Sequence, residues 1–240
     1  MTVQLKGKVV IVTGAGRGIG RAIALALGEA GVRVALAARS EGEIRSVAQE
    51  IRGKDGDAVA IAVDLSRDDE MGRLVKQTVK EWGPVDILVN NAGWGKTATV
   101  IDSRVEDWDR TLQINLRAPM VLTRLVLPGM IAKKSGAIVN IGSISSKAGT
   151  ANTSAYSASK FGMLGFTQSL FEEVREHGIK VSIILPGFVD TPLIPLNKRL
   201  DRGKMIQPRD IADAVIYVLS TPLNSCPVEM TIRPQQTPYR

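Results

Sequence analysis

Short runs of β-branched and aliphatic residues recur along the chain, each followed by a longer stretch with polar residues at helical spacing. Residues 8–13 (KVVIVT) form the first run, which reads as a buried strand ended by Gly14. Residues 17–30 have helical composition and stop at Gly31. The pattern then predicts a strand over 32–38, a polar-faced helix over 43–53, and a strand over 58–63 (AVAIAV). A helix over 67–82 and a strand over 87–90 (ILVN) follow. The next helical region, about 106–134, contains Pro119 and Pro128, which predict a kink and an early end. Residues 137–142 (AIVNIG) read as strand five, 154–176 as a long helix and 180–185 as strand six. A helix over 209–220 and a last strand over 228–232 complete the pattern.

Strand and helix alternate throughout, which is the rhythm of βαβ units. The expected fold is α/β: one Rossmann domain over residues 1–240, with a doubly wound parallel sheet of about seven strands and helices on both faces. In such sheets ligands bind beyond the carboxyl ends of the strands. Those ends are Thr13, Ala38, Val63, Asn90, Gly142 and Leu185.

Composition fits this picture. Hydrophobic residues make up 44% of the chain but aromatics only 4%, so the core must consist mainly of Val, Ile, Leu and Ala, as strands covered on both faces require. No stretch approaches the ~20 apolar residues of a membrane span. The first seven residues are short and polar, which argues against a signal peptide. Cys226 is the only cysteine and excludes an internal disulfide. Together these features point to the cytoplasm and to no membrane partner. The net charge of +7 is dispersed and lacks interleaved aromatics, a pattern that suits a polyphosphate cofactor better than nucleic acid. No cluster of metal-ligand types occurs. His177, the single histidine, sits in Arg175-Glu176-His177-Gly178, which reads as a helix end capped by Gly178. No histidine-based triad can be assembled.

Candidate chemistry begins at Thr13-Gly14-Ala15-Gly16-Arg17-Gly18-Ile19-Gly20, between strand one and its helix. Glycines let the backbone approach a pyrophosphate closely, and the helix start offers unpaired N–H groups. NAD-binding chains usually carry an acidic residue at the end of strand two; here Ala38 is followed by Arg39 and Ser40, with no carboxylate before Glu41. Arg39, with Arg17 from the glycine turn, would pair with a 2′-phosphate. The expected cofactor is therefore NADP(H).

Tyr156 and Lys160 stand four residues apart at the start of a helix, on one face. Lowering a phenol from pKa ~10 to neutrality takes roughly 4 kcal/mol. An ammonium ~4 Å away supplies on the order of 4 kcal/mol at an effective dielectric of about 20.

In this company the chain resembles the short-chain dehydrogenase/reductase family from residue 8 to about 220. The motif T-G-x-x-x-G-x-G is matched by Thr13, Gly14, Gly18 and Gly20, N-N-A-G by Asn90 to Gly93, Y-x-x-x-K by Tyr156 and Lys160, and P-G by Pro186 and Gly187. Thirteen positions before the tyrosine stands Ser143, the match to the family's active-site serine, and Asn115 matches its asparagine. The resemblance implies that Ser143 holds the substrate oxygen and Tyr156 exchanges the proton. Lys160 would lower the tyrosine pKa and hold the nicotinamide ribose, and Asn115 would anchor a water leading to Lys160. It further implies a cofactor laid along Gly14, Gly16, Arg17, Gly18, Ile19, Arg39 and Ser40. Asp64 and Leu65 would contact adenine, and Asn91, Ala92 and Gly93 its ribose. Pro186, Gly187, Val189 and Thr191 would border the nicotinamide, as would Tyr156 and Lys160.

Substrate choice is expected in the strip 94–99 and in a lid over 191–207, where Leu193, Ile194, Leu196, Leu200, Met205 and Ile206 are apolar. Within the family the chain looks most like the 3-oxoacyl-acyl-carrier-protein reductases, which would make an acyl thioester a substrate. Lys134 matches a basic carrier-facing position, but His177 replaces another and the glycine-rich ending is missing. The assignment is therefore a general ketone or aldehyde reductase working on a small-molecule carbonyl or alcohol. A homotetramer or dimer follows from the resemblance, with Ala158, Gly162 and Gly165 permitting close approach of another helix. Rival readings are a catalytically idle NADPH-sensing scaffold, a basic nucleic-acid binder, and a longer epimerase for whose extra domain the chain has no room.

Overall fold

The computed structural model describes residues 4–192, 194 and 199–239. Among the described residues there are seven strands and seven α-helices, alternating except for one pair of successive helices: β1 (Val9–Thr13), α1 (Gly18–Glu29), β2 (Arg33–Ala38), α2 (Glu41–Arg52), β3 (Ala58–Ala62), α3 (Asp68–Trp82) and β4 (Ile87–Asn90) form the first half. The second half runs α4 (Val105–Leu112), α5 (Ala118–Lys133), β5 (Gly136–Ile141), α6 (Ser154–Val174), β6 (Ile179–Pro186), α7 (Pro208–Ser220) and β7 (Glu229–Ile232). The strands make one all-parallel sheet in the order β3-β2-β1-β4-β5-β6-β7. Strand order reverses between β1 and β4, which opens a crevice at their carboxyl ends.

Residue alternation builds two cores from one sheet. Val10 and Val12 of β1 join Ile23 and Leu27 of α1, Ile44 and Ile51 of α2, and Val215 and Leu219 of α7 on one face. Ile11 turns to the other face, with Leu74 of α3, Leu122 and Met130 of α5, and Leu170 of α6. Each such side chain contributes roughly 1.5–3 kcal/mol on burial. Among the described residues no helix is long and apolar enough to cross a membrane. His177 closes a short 3₁₀ turn after α6, and Gly178 leaves it with φ +68°.

The region expected to be one proline-kinked helix has a different build. A π-turn at Gln113–Arg117 joins α4 to α5, where the Ala118 N–H bonds back five residues to the Gln113 carbonyl. Pro119, at the start of α5, has no N–H to restore the ordinary four-residue register. Pro128 does not end the helix, which continues to Lys133. Pro128 and Arg124 are both exposed, so the carbonyl that the proline leaves unpaired can be hydrated. The wide turn carries Asn115, and such turns concentrate at functional sites. Helix α2 also begins two residues earlier than expected, because Glu41 and Glu43 suit the positive end of its dipole.

A buried polar chain fixes α6 to the sheet. The Asn90 Nδ2 donates to Asn140 Oδ1 at 2.9 Å, and Asn140 Nδ2 donates to Thr167 Oγ1 at 2.9 Å. Replacing Asn140 by alanine strands the buried Asn90 amide and leaves a void. The Asn140→Ala variant should lose about 2–4 kcal/mol in urea unfolding; an unchanged midpoint would show that this chain is not what ties α6 down.

Candidate active site

The turn after β1 is shaped by close approach. Gly14 has φ +65°, a conformation that side-chain-bearing residues rarely adopt. At Gly20 a Cβ would fall 2.2 Å from the Gly14 carbonyl oxygen and 2.4 Å from Asn91 Nδ2, so nothing larger fits. A clasp between β1 and β4 holds the turn. The backbone N–H groups of Asn91 and Ala92 donate to Thr13 Oγ1 at 3.0 and 3.1 Å, and Asn91 Nδ2 donates to the Thr13 carbonyl at 2.8 Å. Helix α1 starts beyond the turn with no acidic residue in its first turn and no side-chain cap on its N–H groups. These are the conditions for binding an anion.

From this turn a cleft of about 610 Å³ runs across the carboxyl ends of the strands. Of the residues expected at a cofactor, Gly14, Gly16, Arg17, Gly18, Ile19, Arg39, Ser40, Asp64 and Leu65 line it. So do Asn91, Ala92, Gly93, Tyr156, Lys160 and Thr191. Pro186, Gly187 and Val189 do not. Pro186 pairs with Ile232, the Gly187 N–H bonds to the Ile232 carbonyl at 2.8 Å, and Val189 is buried in a bridge to Ile206. Their backbones hold β7 and the chain before α7 in place.

At the β2 end of the cleft, Arg17 and Arg39 are exposed and neither forms a salt bridge among the described residues. Asp64 Oδ1 accepts from the Ser66 N–H at 2.9 Å and its hydroxyl at 2.8 Å. Those bonds, with the Arg39 and Arg110 charges behind them, hold the carboxyl below the usual aspartate range. Glu43, Arg110, Ile114 and Ile141, which the sequence did not single out, also line the cleft, as does Trp94. Arg110 stacks 4.9 Å over the Trp94 ring. Glu43 and Arg110 are polar residues on helices, and nothing in their spacing distinguishes them from a solvated face. Trp94 lies in the strip already suspected.

At the other end, α6 presents Tyr156 and Lys160 to the cleft. The ammonium lies 5.7 Å over the tyrosine ring centroid and donates to the Ile141 carbonyl at 2.9 Å. Lys160 is buried, and that burial pulls its pKa from 10.5 down to about 8. Tyr156 departs from the expectation that lysine lowers it. Burial pushes the phenol up, and hydrogen bonding with Ser143 opposes the rise. The ammonium sits above the ring and beside a carbonyl, so the chain alone does not acidify the phenol. Ser143, just past β5, also caps a 3₁₀ turn by accepting from the Ser145 N–H at 3.1 Å. Gly95 lies flat on the tyrosine, where a Cβ would come within 2.8 Å of Tyr156 Cδ2.

Asn115 does not reach the cleft. Its Oδ1 accepts from the Trp94 N–H at 2.8 Å, and its Nδ2 donates to the Trp94 carbonyl at 2.8 Å and to Ser159 Oγ at 3.0 Å. The side chain thus ties the loop after β4 to α6 and leaves little capacity for anything else.

Comparison with known proteins identifies the family. The family model for short chain dehydrogenases matches residues 8–199. The chain is a short-chain dehydrogenase. It is 37% identical to an uncharacterized oxidoreductase of Staphylococcus aureus (strain MRSA252) over 234 residues, covering 98% of this chain and 100% of that one. An uncharacterized oxidoreductase of Staphylococcus saprophyticus is 38% identical over 235 residues, with 97% and 99% covered. A solved metagenomic short-chain oxidoreductase in complex with NADP superposes with a TM-score of 0.86 at 37% identity, over 98% of this chain and 100% of that one. The short-chain dehydrogenase is accordingly an oxidoreductase with the Rossmann-like fold of its relatives.

Beyond the cleft, the expected lid is partly packed inward. Leu193 and Leu196 lie outside the described residues. Met205 and Ile206 are buried at 5% exposure each, whereas Ile194 and Leu200 are half-buried. Arg202 bonds Asp190 and donates to the Ile194 carbonyl at 2.8 Å, and the Asp201 N–H donates to the Pro238 carbonyl at 2.7 Å. Tyr239 packs edge-on against Phe188 with centroids 5.4 Å apart.

Lys160 carries a testable cost in this short-chain dehydrogenase. Its ammonium is disfavoured by burial, so holding it charged near neutrality costs about 3 kcal/mol. The unfolded chain binds the extra proton between pH 8 and 10.5, so this penalty disappears as pH rises through that window. Lys160→Met should therefore unfold at higher denaturant at pH 7, by about 1–3 kcal/mol, with the gap narrowing toward pH 10. A variant less stable than wild type at pH 7 would contradict this.

Proposed function

We propose that this oxidoreductase reduces ketones or aldehydes with NADPH, or oxidises the matching alcohols, with Tyr156 as the general acid and base. The observation that carries the reading is that one cleft joins the glycine turn and two arginines without a salt bridge among the described residues at one end to Tyr156 and Lys160 at the other. The residues fit the cofactor. The backbone around Gly14 leaves the space that a pyrophosphate needs, α1 presents its N–H groups, and Arg17 and Arg39 suit a 2′-phosphate. The 37% identical metagenomic relative in complex with NADP supports the same choice.

When bound, the nicotinamide gives or takes the hydride; the remaining work falls to the chain. The Ser143 hydroxyl donates a hydrogen bond to the substrate oxygen and stabilises negative charge as it develops there. Tyr156 delivers its proton to that oxygen, or removes it in the oxidative direction. Lys160, at about 8, stabilises the phenolate left behind and can itself surrender a proton near neutrality to restore the phenol. Positive charge on the oxidised nicotinamide would add the acidification that the ammonium alone does not supply. Asn115 acts as a positioning residue that keeps the Trp94 loop against α6. The substrate enters between that loop and Thr191-Pro192, which also line the cleft. Gly162 packs on Leu116 inside the chain, but Ala158, Phe161 and Gly165 are exposed on α6 and offer the face for a homo-oligomer.

Two measurements test the reading. NADPH oxidation against ketones, aldehydes and 3-oxoacyl thioesters should fall at least about a thousandfold in Tyr156→Phe, with NADPH affinity nearly unchanged; full turnover in that variant would remove the mechanism. Arg39→Asp should shift cofactor preference toward NADH by about tenfold or more, as expected for replacing a phosphate partner by a like charge. Unaltered selectivity would refute the 2′-phosphate assignment.

A further inference from the structure

The β2 end of the cleft contains a charge that a simple phosphate site would not. Glu43, in the first turn of α2, lines the cleft together with Arg17, Arg39 and Ser40. The glycine turn holds it there. A Cβ on Gly16 would fall 2.7 Å from Glu43 Oε2 and 2.8 Å from Glu43 Cβ. The missing side chain at position 16 is thus the space that the Glu43 stem and carboxylate occupy. No salt bridge or side-chain hydrogen bond among the described residues involves Glu43, so no direct partner neutralises it. Arg17, Arg39 and Glu43 therefore converge on the same short stretch of cleft, with the Asp64 carboxylate also close enough to feel the Arg39 charge.

We infer that Glu43 is a specificity-determining residue that limits preference for the 2′-phosphate and lets the enzyme also use the unphosphorylated dinucleotide. The inference rests on the dinucleotide reading proposed above. A carboxylate accepts hydrogen bonds from the free ribose hydroxyls, the role an acidic residue plays in NAD sites, and it repels a phosphate dianion. The arginines do the opposite. With both present, neither form of the cofactor is rejected outright, and the balance is set by charges lying partly in solvent.

The test is equilibrium titration of wild type, Glu43→Gln and Glu43→Ala with NADPH, NADH, adenosine 2′,5′-bisphosphate and 5′-AMP at low and high salt. Wild type should bind both dinucleotides, with NADPH the tighter. Glu43→Gln keeps the packing on Gly16 and should tighten NADPH and the bisphosphate by about three- to tenfold, while weakening NADH and 5′-AMP severalfold; that is the size expected of one partly screened charge. The gain for the phosphorylated pair should shrink in high salt. Glu43→Ala should shift selectivity in the same direction. Equal changes for both cofactor types, or none, would make Glu43 a packing residue and overturn the inference. Failure of NADH alone to bind wild type would also overturn the inference, whereas failure of NADPH to bind would instead overturn the parent reading.

Discussion

The cleft depends on the clasp between Thr13 and Asn91. Two neighbouring strands whose connections run in opposite directions leave a gap at their carboxyl ends, and something must fix the width of that gap. Here one hydroxyl receives two backbone N–H groups, and one side-chain amide returns a bond to the opposite strand. The same amide forms the wall that excludes any side chain at Gly20. The glycine turn, the start of α1 and the loop leading to Trp94 are therefore placed by one small group of bonds. Asn115 extends that placement to α6 through Trp94 and Ser159, so the residues proposed for proton transfer are held relative to the turn by a continuous polar path.

The electrostatics divide along the cleft. At the β2 end Arg17, Arg39 and Glu43 form no salt bridge among the described residues and the two arginines are exposed, so they can discriminate among ligands at little expense to the fold. At the α6 end an ammonium is enclosed beside the Ile141 carbonyl with a phenol beneath it, and burial disfavours the charged form of both groups, the ammonium and the phenolate. Function and stability pull apart at this end, as is common where titrating groups are removed from water.

Much of this was legible in the chain. Strand residues alternate between two cores, glycines punctuate the turns, and the strands fell where short β-branched runs predicted them. The cleft-lining residues that could be read were those tied to strand ends or to motifs: the glycine turn, Arg39, Asp64, Asn91, Tyr156 and Lys160. Those that could not be read reach the cleft from helix faces. Glu43 looks like any acidic residue opening a helix, and its meaning depends on an empty space at Gly16, 27 positions earlier by residue number. Arg110 acquires a role only through Trp94 and Asp64, which the fold brings beside it. The π-turn was hidden because a proline signals a broken helix as readily as a widened one. Pro186, Gly187 and Val189 are not among the cleft-lining residues, and their backbone groups pair with β7 and with Ile206.

The distance in sequence between the clasped residues bears on how the molecule assembles. Asn91 and Thr13 are 78 positions apart, and the central β1–β4 pair forms only after that much chain, including two complete βα units, has been brought together. Closing so long a loop costs entropy before any contact repays it, which places this topology among slow folders. The nascent chain must therefore carry β1 with one exposed, aliphatic edge until β4 arrives, a period in which self-association competes with native pairing.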